Sequence, residues 1–274
     1  MYRELARIAT AAARVGADQL VPRFRDSSVQ IQTKARYDFV SEADRESETA
    51  IVELLQAELP DHRILSEEAG MIGPEEASYE WIVDPLDGTN NFLRGLPVWG
   101  VSVACRQESE LVAGAIFDPL GSNLFAASRG GGAQWNGEEM RVSDRPGLPG
   151  SFLATGFPFR ARGAIDAYLA IFRSVYLEAG SIRRCGAASL DLAHTAAGVY
   201  DGFFEFRLSA WDLAAGALLI EEAGGRVTNL DGDENFLTNG NVVAGGIEVH
   251  RQLLAAVRQH ADEALVEREA PLED

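Results

Sequence analysis

Disulfides play no part in organising this chain. It has two cysteines, Cys105 and Cys185, with neither a framework of pairs nor a metal-ligand spacing. Cys105 lies in an apolar strand pattern and reads as a small buried hydrophobe. The four histidines, His62, His194, His250 and His260, are scattered, none beside a nucleophile motif. His194 falls in an alanine-rich helical stretch that suits packing or capping better than proton transfer. No Gly-x-Ser-x-Gly elbow is present, and no covalent enzyme intermediate is required by what remains. No apolar run approaches the roughly 20 residues that span a bilayer. Met1-Tyr2-Arg3-Glu4-Leu5 carries an acid early and lacks an apolar secretory core, so the expectation is a cytoplasmic protein without a membrane partner. Repeats, low-complexity tracts and flexible linkers are missing as well. Positive charge is in deficit: 24 Lys and Arg against 42 Asp and Glu give a formal net charge of −18. Such a surface argues against direct nucleic-acid binding, which needs a basic face. It also opposes an anionic substrate unless bound cations invert the field locally. Salt tolerance is one hypothesis for so acidic a surface.

What the chain does have is enough apolar sequence for a large core. Its 274 residues are 46% hydrophobic and 24% charged, the balance of an ordinary globular protein, as one large domain or two closely joined halves. Residues 3–20 place Leu5, Ile8, Ala12 and Val15 at helical spacing, ending near Pro22. Val29 to Thr33 alternates like a strand. A helix follows Ser41, with Ala43, Ser47, Ile51, Leu54 and Leu55 on one face, and stops before Pro60. A short apolar step at 63–65 leads through Glu67-Glu68 into a polar loop up to Glu80. Val98–Arg106, Leu111–Phe117 and Asn123–Ala127 read as consecutive antiparallel strands, and Asn136-Gly137 is a hairpin turn. Arg129-Gly-Gly-Gly-Ala133 lacks phosphate-loop chemistry and reads as a turn. A second series of strands and helices starts at Ser151. It includes an almost wholly apolar, hence buried, helix over Leu213–Ala223 and a last helix near Ile247–His260; Glu269–Asp274 looks frayed. The pattern predicts an α/β arrangement of layers with two sheets. Its halves, about 1–145 and 151–265, meet where Pro146, Gly147, Pro149 and Gly150 cluster.

The chemistry centres on Trp81-Ile-Val-Asp-Pro-Leu-Asp-Gly-Thr-Asn-Asn-Phe92. An apolar strand opens it, and Pro85, with no N–H to offer a neighbour, is expected to stop the ladder. That leaves Asp84 at the strand's end and Asp87 just beyond. Gly88-Thr89-Asn90 suits a tight turn into a helix N-terminus, where free N–H groups face an anion. Further acids, Asp44, Glu67-Glu68 and Asp212, lie at the ends of other elements. Each has a plain structural role open to it: Asp44 completes a capping box with Ser41, Glu67-Glu68 forms a solvated turn, and Asp212 complements a helix dipole. Together they offer the oxygen ligands that magnesium shares with phosphate and water, and a two-metal site activates water at neutral pH. The stretch Asp231-Gly-Asp233-Glu-Asn235 is no calcium loop, because Phe236 and Val242 stand where the sixth-position Gly and twelfth-position Glu are needed.

The segment Trp81–Phe92 and Trp211-Asp-Leu-Ala-Ala-Gly-Ala-Leu-Leu-Ile-Glu-Glu-Ala-Gly-Gly225 resemble the paired motifs of the inositol monophosphatase family. The similarity runs from Asp38-Phe-Val-Ser-Glu-Ala-Asp44 to Gly240-Asn-Val-Val-Ala-Gly245. It is closest to the bacterial SuhB-type branch through Ala154-Thr-Gly-Phe-Pro-Phe159 and Arg183-Arg-Cys-Gly-Ala-Ala-Ser-Leu-Asp-Leu-Ala193. The resemblance implies a layered αβαβα sandwich, a homodimer, Mg2+ as cofactor and inhibition by lithium. It implies that Glu67, Asp84 and the Leu86 carbonyl bind one magnesium, and Asp84, Asp87 and Asp212 a second. Glu67 and Thr89 would position the attacking water, with Asp44 holding Thr89, and the Gly88 and Thr89 N–H groups would hold phosphate. Asp87, Asp212 and Glu205 would face the polyol, the backbone from Gly186 through Ala187 to Ala188 would line it, and Arg183 would be a further contact. Three positions depart from the usual pattern, Ser41, Asn90 and Ala187; none removes a metal ligand.

The function expected is magnesium-dependent hydrolysis of a small phosphorylated polyol, inositol monophosphate first. Rivals with the same chemistry are a fructose-1,6-bisphosphatase, a histidinol phosphatase and a nucleotide 3′-phosphatase. A rival of another class is a regulatory protein that binds the transcription machinery, as SuhB-type proteins do.

Overall fold

Helix formation at the start of the chain follows from one stripe: Leu5, Ile8, Ala9, Ala12, Ala13, Ala17 and Leu20 are all buried along α1 (Tyr2–Leu20). A single 3₁₀ turn containing Pro22 ends it. The computed structural model describes residues 1–26, 31–35, 38–158 and 162–261; the start of the strand expected at Val29 and the tail at Glu269–Asp274 lie outside them. A short antiparallel pair, β1 (Ile31–Ala35) and β2 (Asp38–Ser41), leads into α2 (Glu42–Glu58). The capping box expected there is present: the Ser41 hydroxyl accepts from the Asp44 N–H, and the Ser41 N–H donates to Asp44 Oδ2 at 2.9 Å.

The next nine strands are β3 (Arg63–Ser66), β4 (Gly70–Ile72), β5 (Tyr79–Asp87), β6 (Gly100–Gln107), β7 (Glu110–Asp118), β8 (Asn123–Ser128), β9 (Gly132–Trp135) and β10 (Glu138–Glu139), with a short helix, α3 (Thr89–Leu93), after β5; beyond the linker comes β11 (Phe152–Thr155). Strands β3 to β10 form one mixed sheet in the order β10-β9-β8-β7-β6-β5-β3-β4. Here β5 runs parallel to β3 and antiparallel to β6. The antiparallel run β6–β7–β8 and the turn at Asn136-Gly137, with φ of 51° and 87°, agree with the sequence pattern. Two expectations are corrected. The polar loop before Glu80 contains β4, paired with β3; three residues are too few to show an alternation. Pro85 does not end its strand. The ladder continues to Asp87 through a register shift, Asp84 opposite Ser102 and Asp87 opposite Gly100. Three steps on one strand against two on the other make a β-bulge, where a proline is tolerated.

The second half supplies α4 (Ile165–Glu178), β12 (Ser181–Arg183), α5 (Ala188–Ala196), β13 (Gly202–Glu205), α6 (Ala210–Glu222), β14 (Arg226–Thr228), α7 (Phe236–Asn239), β15 (Val242–Gly245) and α8 (Ile247–Arg258). Its sheet has the order β12-β11-β13-β15-β14. Helices α1 and α2 cover the outer face of the first sheet, α5 and α6 lie between the sheets, and α4 and α8 cover the far face of the second. That is the five-layer αβαβα sandwich. Helix α6 begins at Ala210, earlier than its apolar run, because Ser209 and Asp212 cap it. Every residue from Asp212 to Ile220 is buried, as a helix covered on both sides requires. Gly216 is needed for this packing, since a Cβ there would come within 2.4 Å of Leu192 on α5.

Candidate active site

Strict alternation along a strand turns residues three apart to opposite faces. The extra residue in the β5 bulge cancels that turn, and Asp84 and Asp87 come to the same side. Asp212, in the first turn of α6, joins them. One carboxylate oxygen from each of Asp84, Asp87 and Asp212 lies within 4.8 Å of the others, and all three residues are buried. Gly88 follows with φ +88°, in the left-handed region glycine favours, and turns the chain into α3. The first N–H groups of α3 have no intrahelical acceptor.

The electrostatics of the cluster are unfavourable without a cation. Burial holds the Asp84 carboxyl well above the usual carboxylate range, and Glu67, Asp87 and Asp212 push it further. The charged groups that act most strongly on Asp84 are all acids. Asp87 is raised to about 6, by burial first and then by Asp212, against the opposing effect of hydrogen bonds from Ser189 and Ala188. Glu67 is outside the tight group of three, yet among the acids it acts most strongly on Asp84. A donor set of carboxylates, with no imidazole or thiolate, fits a small hard divalent ion.

The surrounding residues hold these acids in place. Helix α2 serves three parts of the site from one face. The Glu48 carboxylate accepts from the Ser66 hydroxyl and from the N–H groups of Glu68 and Ala69 (3.1 and 3.0 Å), which fixes the turn carrying Glu67. The Ser47 hydroxyl donates to the Pro85 carbonyl at 2.9 Å and pins the bulge. The Thr89 hydroxyl lies 3.3 Å from Asp44 Oδ1 and 3.0 Å from the Leu86 carbonyl, both as acceptors. Asp44 therefore caps α2 with one oxygen and faces Thr89 with the other. Asp87 in turn caps α5 from another element, its Oδ2 accepting from the Ser189 N–H at 2.8 Å and from the Ser189 hydroxyl. Asn91 Nδ2 donates to the carbonyls of Val98, Cys185 and Gly186, at 2.8, 3.0 and 3.3 Å, tying α3 to the loop before α5. In that loop Ala187 is fully buried, its methyl beside Gly88, and Ala188 opens α5.

Glu205 ends β13 beside the cluster. Its carboxyl is raised well above the ordinary value by burial, then by Asp191 and Asp212, against the opposing charge of Arg184. Arg183 is not brought to the acids. Its guanidinium lies 4.8 Å from the centre of the Phe152 ring and donates to Ser181 Oγ and the Ile182 carbonyl at 2.6 and 3.1 Å. Its neighbour Arg184 is the one whose charge acts on Glu205 and Asp191. Arg183 is the last residue of β12 and Arg184 the first beyond it, so one position decides which arginine faces the acids.

Sequence reasoning missed Ser47, Glu48, Ser189 and Asp191. Positions 44, 47, 48, 51 and 55 share one face of α2, so polar residues beside buried Ile51 and Leu55 were a signal that partners are needed. Ser189 and Asp191 stand in the first turn of α5, and nothing local says that Asp87 meets them. His194 is a packing residue, as expected, with Nδ1 2.8 Å from the Leu190 carbonyl and its ring against Phe125 and Tyr200. Asn229 Oδ1 accepts from the N–H groups of Asp231 and Asp233, both at 2.8 Å, which accounts for the acidic loop as a turn.

The model of the inositol monophosphatase family matches residues 1–263. A protein of Pseudomonas aeruginosa named Nus factor SuhB is 46% identical over 264 residues, covering 94% of this chain and 97% of that protein. An inositol-1-monophosphatase of Mesorhizobium japonicum is 44% identical over 232 residues, 85% of this chain and 87% of that one. The crystal structure of the extragenic suppressor protein suhB from Bartonella henselae superposes with a TM-score of 0.90 at 38% identity, covering 94% of this chain and all of that one (100%).

Proposed function

This chain belongs to the inositol monophosphatase family, and we propose that it is a magnesium-dependent phosphatase releasing phosphate from inositol monophosphate or a similarly small polyol phosphate. The observation that carries this reading is the meeting of Asp84, Asp87 and Asp212 in a buried group of carboxylates whose charge calls for a cation. Glu67, Asp84, Asp87, Asp212 and the Leu86 carbonyl would hold magnesium, which supplies charge stabilisation and water activation at neutral pH. The chain's own residues do the rest. The Thr89 hydroxyl, its proton directed at Asp44 or the Leu86 carbonyl, offers a lone pair that orients the attacking water. Glu67 would take up that water's proton at its carboxylate as the new P–O bond forms and the ester P–O bond breaks, and the departing ester oxygen takes a proton from solvent water to leave as the alcohol. The N–H groups of Gly88 and Thr89 hold the phosphate oxygens. Glu205, with the backbone from Gly186 to Ala188, receives the hydroxyl-rich part of the substrate, which favours a polyol over a nucleobase.

Asp84→Asn is expected to lower phosphate release from inositol 1-phosphate by several orders of magnitude. Near-wild-type turnover would overturn the assignment. A phosphate-release panel with fructose 1,6-bisphosphate, histidinol phosphate and a nucleotide 3′-phosphate ranks the related substrates. Homodimer formation, inhibition by lithium and a cytoplasmic location belong to the same proposal and rest on the family resemblance.

A second reading is favoured by one finding, the name Nus factor SuhB carried by the Pseudomonas aeruginosa relative. In it the chain also binds a protein of the transcription machinery. A pull-down undiminished by Asp84→Asn would support that role, and one that recovers no transcription protein would reject it.

A further inference from the structure

We infer that a groove at the opposite end of the first sheet from the acid cluster binds a small oxyanion. Arg3, Ala6, Arg7 and Thr10 recur at i, i+3, i+4 and i+7 and so share one face of α1. That face, with Ser128 and Gln134 from the β8–β9 hairpin, encloses a groove of about 360 Å³, within the range that suits a small ligand (about 300–1,000 Å³).

Charge and hydrogen-bond status both select the ligand. In a chain with 42 acidic and 24 basic residues, the ionisable side chains lining this groove are two arginines and no carboxylate. Arg7 is engaged, through Nε and Nη2, by Glu4 one turn away. Arg3, Thr10, Ser128 and Gln134 make no side-chain hydrogen bond among the described residues. Ser128 is 5% exposed, and its hydroxyl sits 2.2 Å from where a Cβ at Gly131 would stand. The hairpin loop is set from behind, since the Glu222 carboxylate accepts from the N–H groups of Gly130 and Gly132 at 3.0 and 2.9 Å. The groove thus presents a free guanidinium, the remaining nitrogen of a second one, two hydroxyls and an amide, all able to donate, on a backbone already fixed. A phosphate or carboxylate group is the chemistry such donors recognise. A cleft of about 580 Å³ beyond the same loop differs, because there Arg129 is neutralised by Glu110, Glu221 and Glu222. The groove is also remote from the acids. Glu222 lies ten residues along α6 from Asp212, about 15 Å of helix.

The test is an amide-resolved NMR titration of the full chain, stripped of divalent ions by chelation and then dialysed free of the chelator, so that neither a divalent ion at the acid cluster nor a polycarboxylate competes for the probes. Inorganic phosphate and succinate are the two probes. Saturable shifts of the Thr10, Ser128 and Gly131 amides are expected with at least one of them, and the tighter probe tells a phosphate-bearing ligand from a carboxylate. Arg3→Ala should weaken that binding at least about tenfold, the effect of losing a charged hydrogen-bond donor, and Ser128→Ala should weaken it less. Arg251→Ala is the matched control, because Arg251 pairs with Glu248 as Arg7 does with Glu4 but lies on α8; it should leave the affinity unchanged. Neither probe saturating, Arg3→Ala binding like wild type, or equal weakening by Arg251→Ala would each overturn the assignment.

Discussion

Glu48 shows how much of this site depends on a residue outside the acid cluster. Its carboxylate gathers Ser66, Glu68 and Ala69 around the turn that carries Glu67. Glu48→Ala is expected to lower kcat about 10- to 100-fold with a folded protein and little change in KM, the usual size of an effect exerted through a ligand's supporting partner. Turnover within twofold of wild type would show that Glu67 needs no such support. His250 makes a different kind of prediction. It is buried with Nε2 2.9 Å from Thr228 Oγ1, and burial, then Arg226 and Arg258, lower its pKa to about 4. The unfolded chain takes up this proton near pH 6.5 and the folded chain only near pH 4. The contribution of His250 to stability is therefore full above pH 6.5 and falls as the pH drops towards 4. The loss of urea midpoint between pH 7.5 and pH 5 should be smaller for His250→Gln than for wild type; an equal loss would contradict the assignment. Asp84, Asp87 and Asp212 were legible because acids at the ends of apolar elements stand out. Ser189 and Asp191 were not, since their importance comes from Asp87, about a hundred residues away in sequence and adjacent only after folding.

Among elements, α2 carries two tasks on one carboxylate. Asp44 Oδ2 closes the helix cap with Ser41, and Oδ1 faces Thr89. Substitutions should separate them. Ser41→Ala is expected to cost about 1 kcal/mol of stability, the value of an N-cap, with turnover largely kept. Thr89→Val should abolish most turnover and leave the melting temperature nearly unchanged. If both variants lost activity and stability together, the cap and the site would be one unit. Helix α2 was readable from its cap and its stripe, whereas β5 was misread at Pro85. Proline rules describe regular ladders, and a bulge is an agreement between two strands that one strand's sequence does not state. The three-residue strand β4 escaped for a related reason, because its partner β3 defines it.

At the scale of the whole molecule, the alternation of element types implied layers with two sheets and the family resemblance implied five of them, but which helix lay in the middle was visible only through the apolar continuity of α6. The two halves share that layer: the central core joins Ile82, Ala104 and Ile116 from the first sheet to Phe203, Val227 and Ala244 from the second. The surface is a separate matter. With a net charge of −18, self-repulsion opposes the compact state, and salt relieves it as the screening length falls from about 10 Å at 0.1 M to about 3 Å at 1 M. In chelator, the melting temperature is expected to rise over that range of sodium chloride. A flat or falling curve would mean that the excess acids are already offset locally. The position of Asp212 on the shared middle helix has a further consequence during synthesis. A chain still emerging from the ribosome has the carboxylates of β5 long before it has their third companion, so on the proposed role of Asp212 it would gain hydrolytic activity only once α6 has been made and seated. Activity would then report completion of the fold, and a truncation ahead of that helix is expected to be silent rather than partly active.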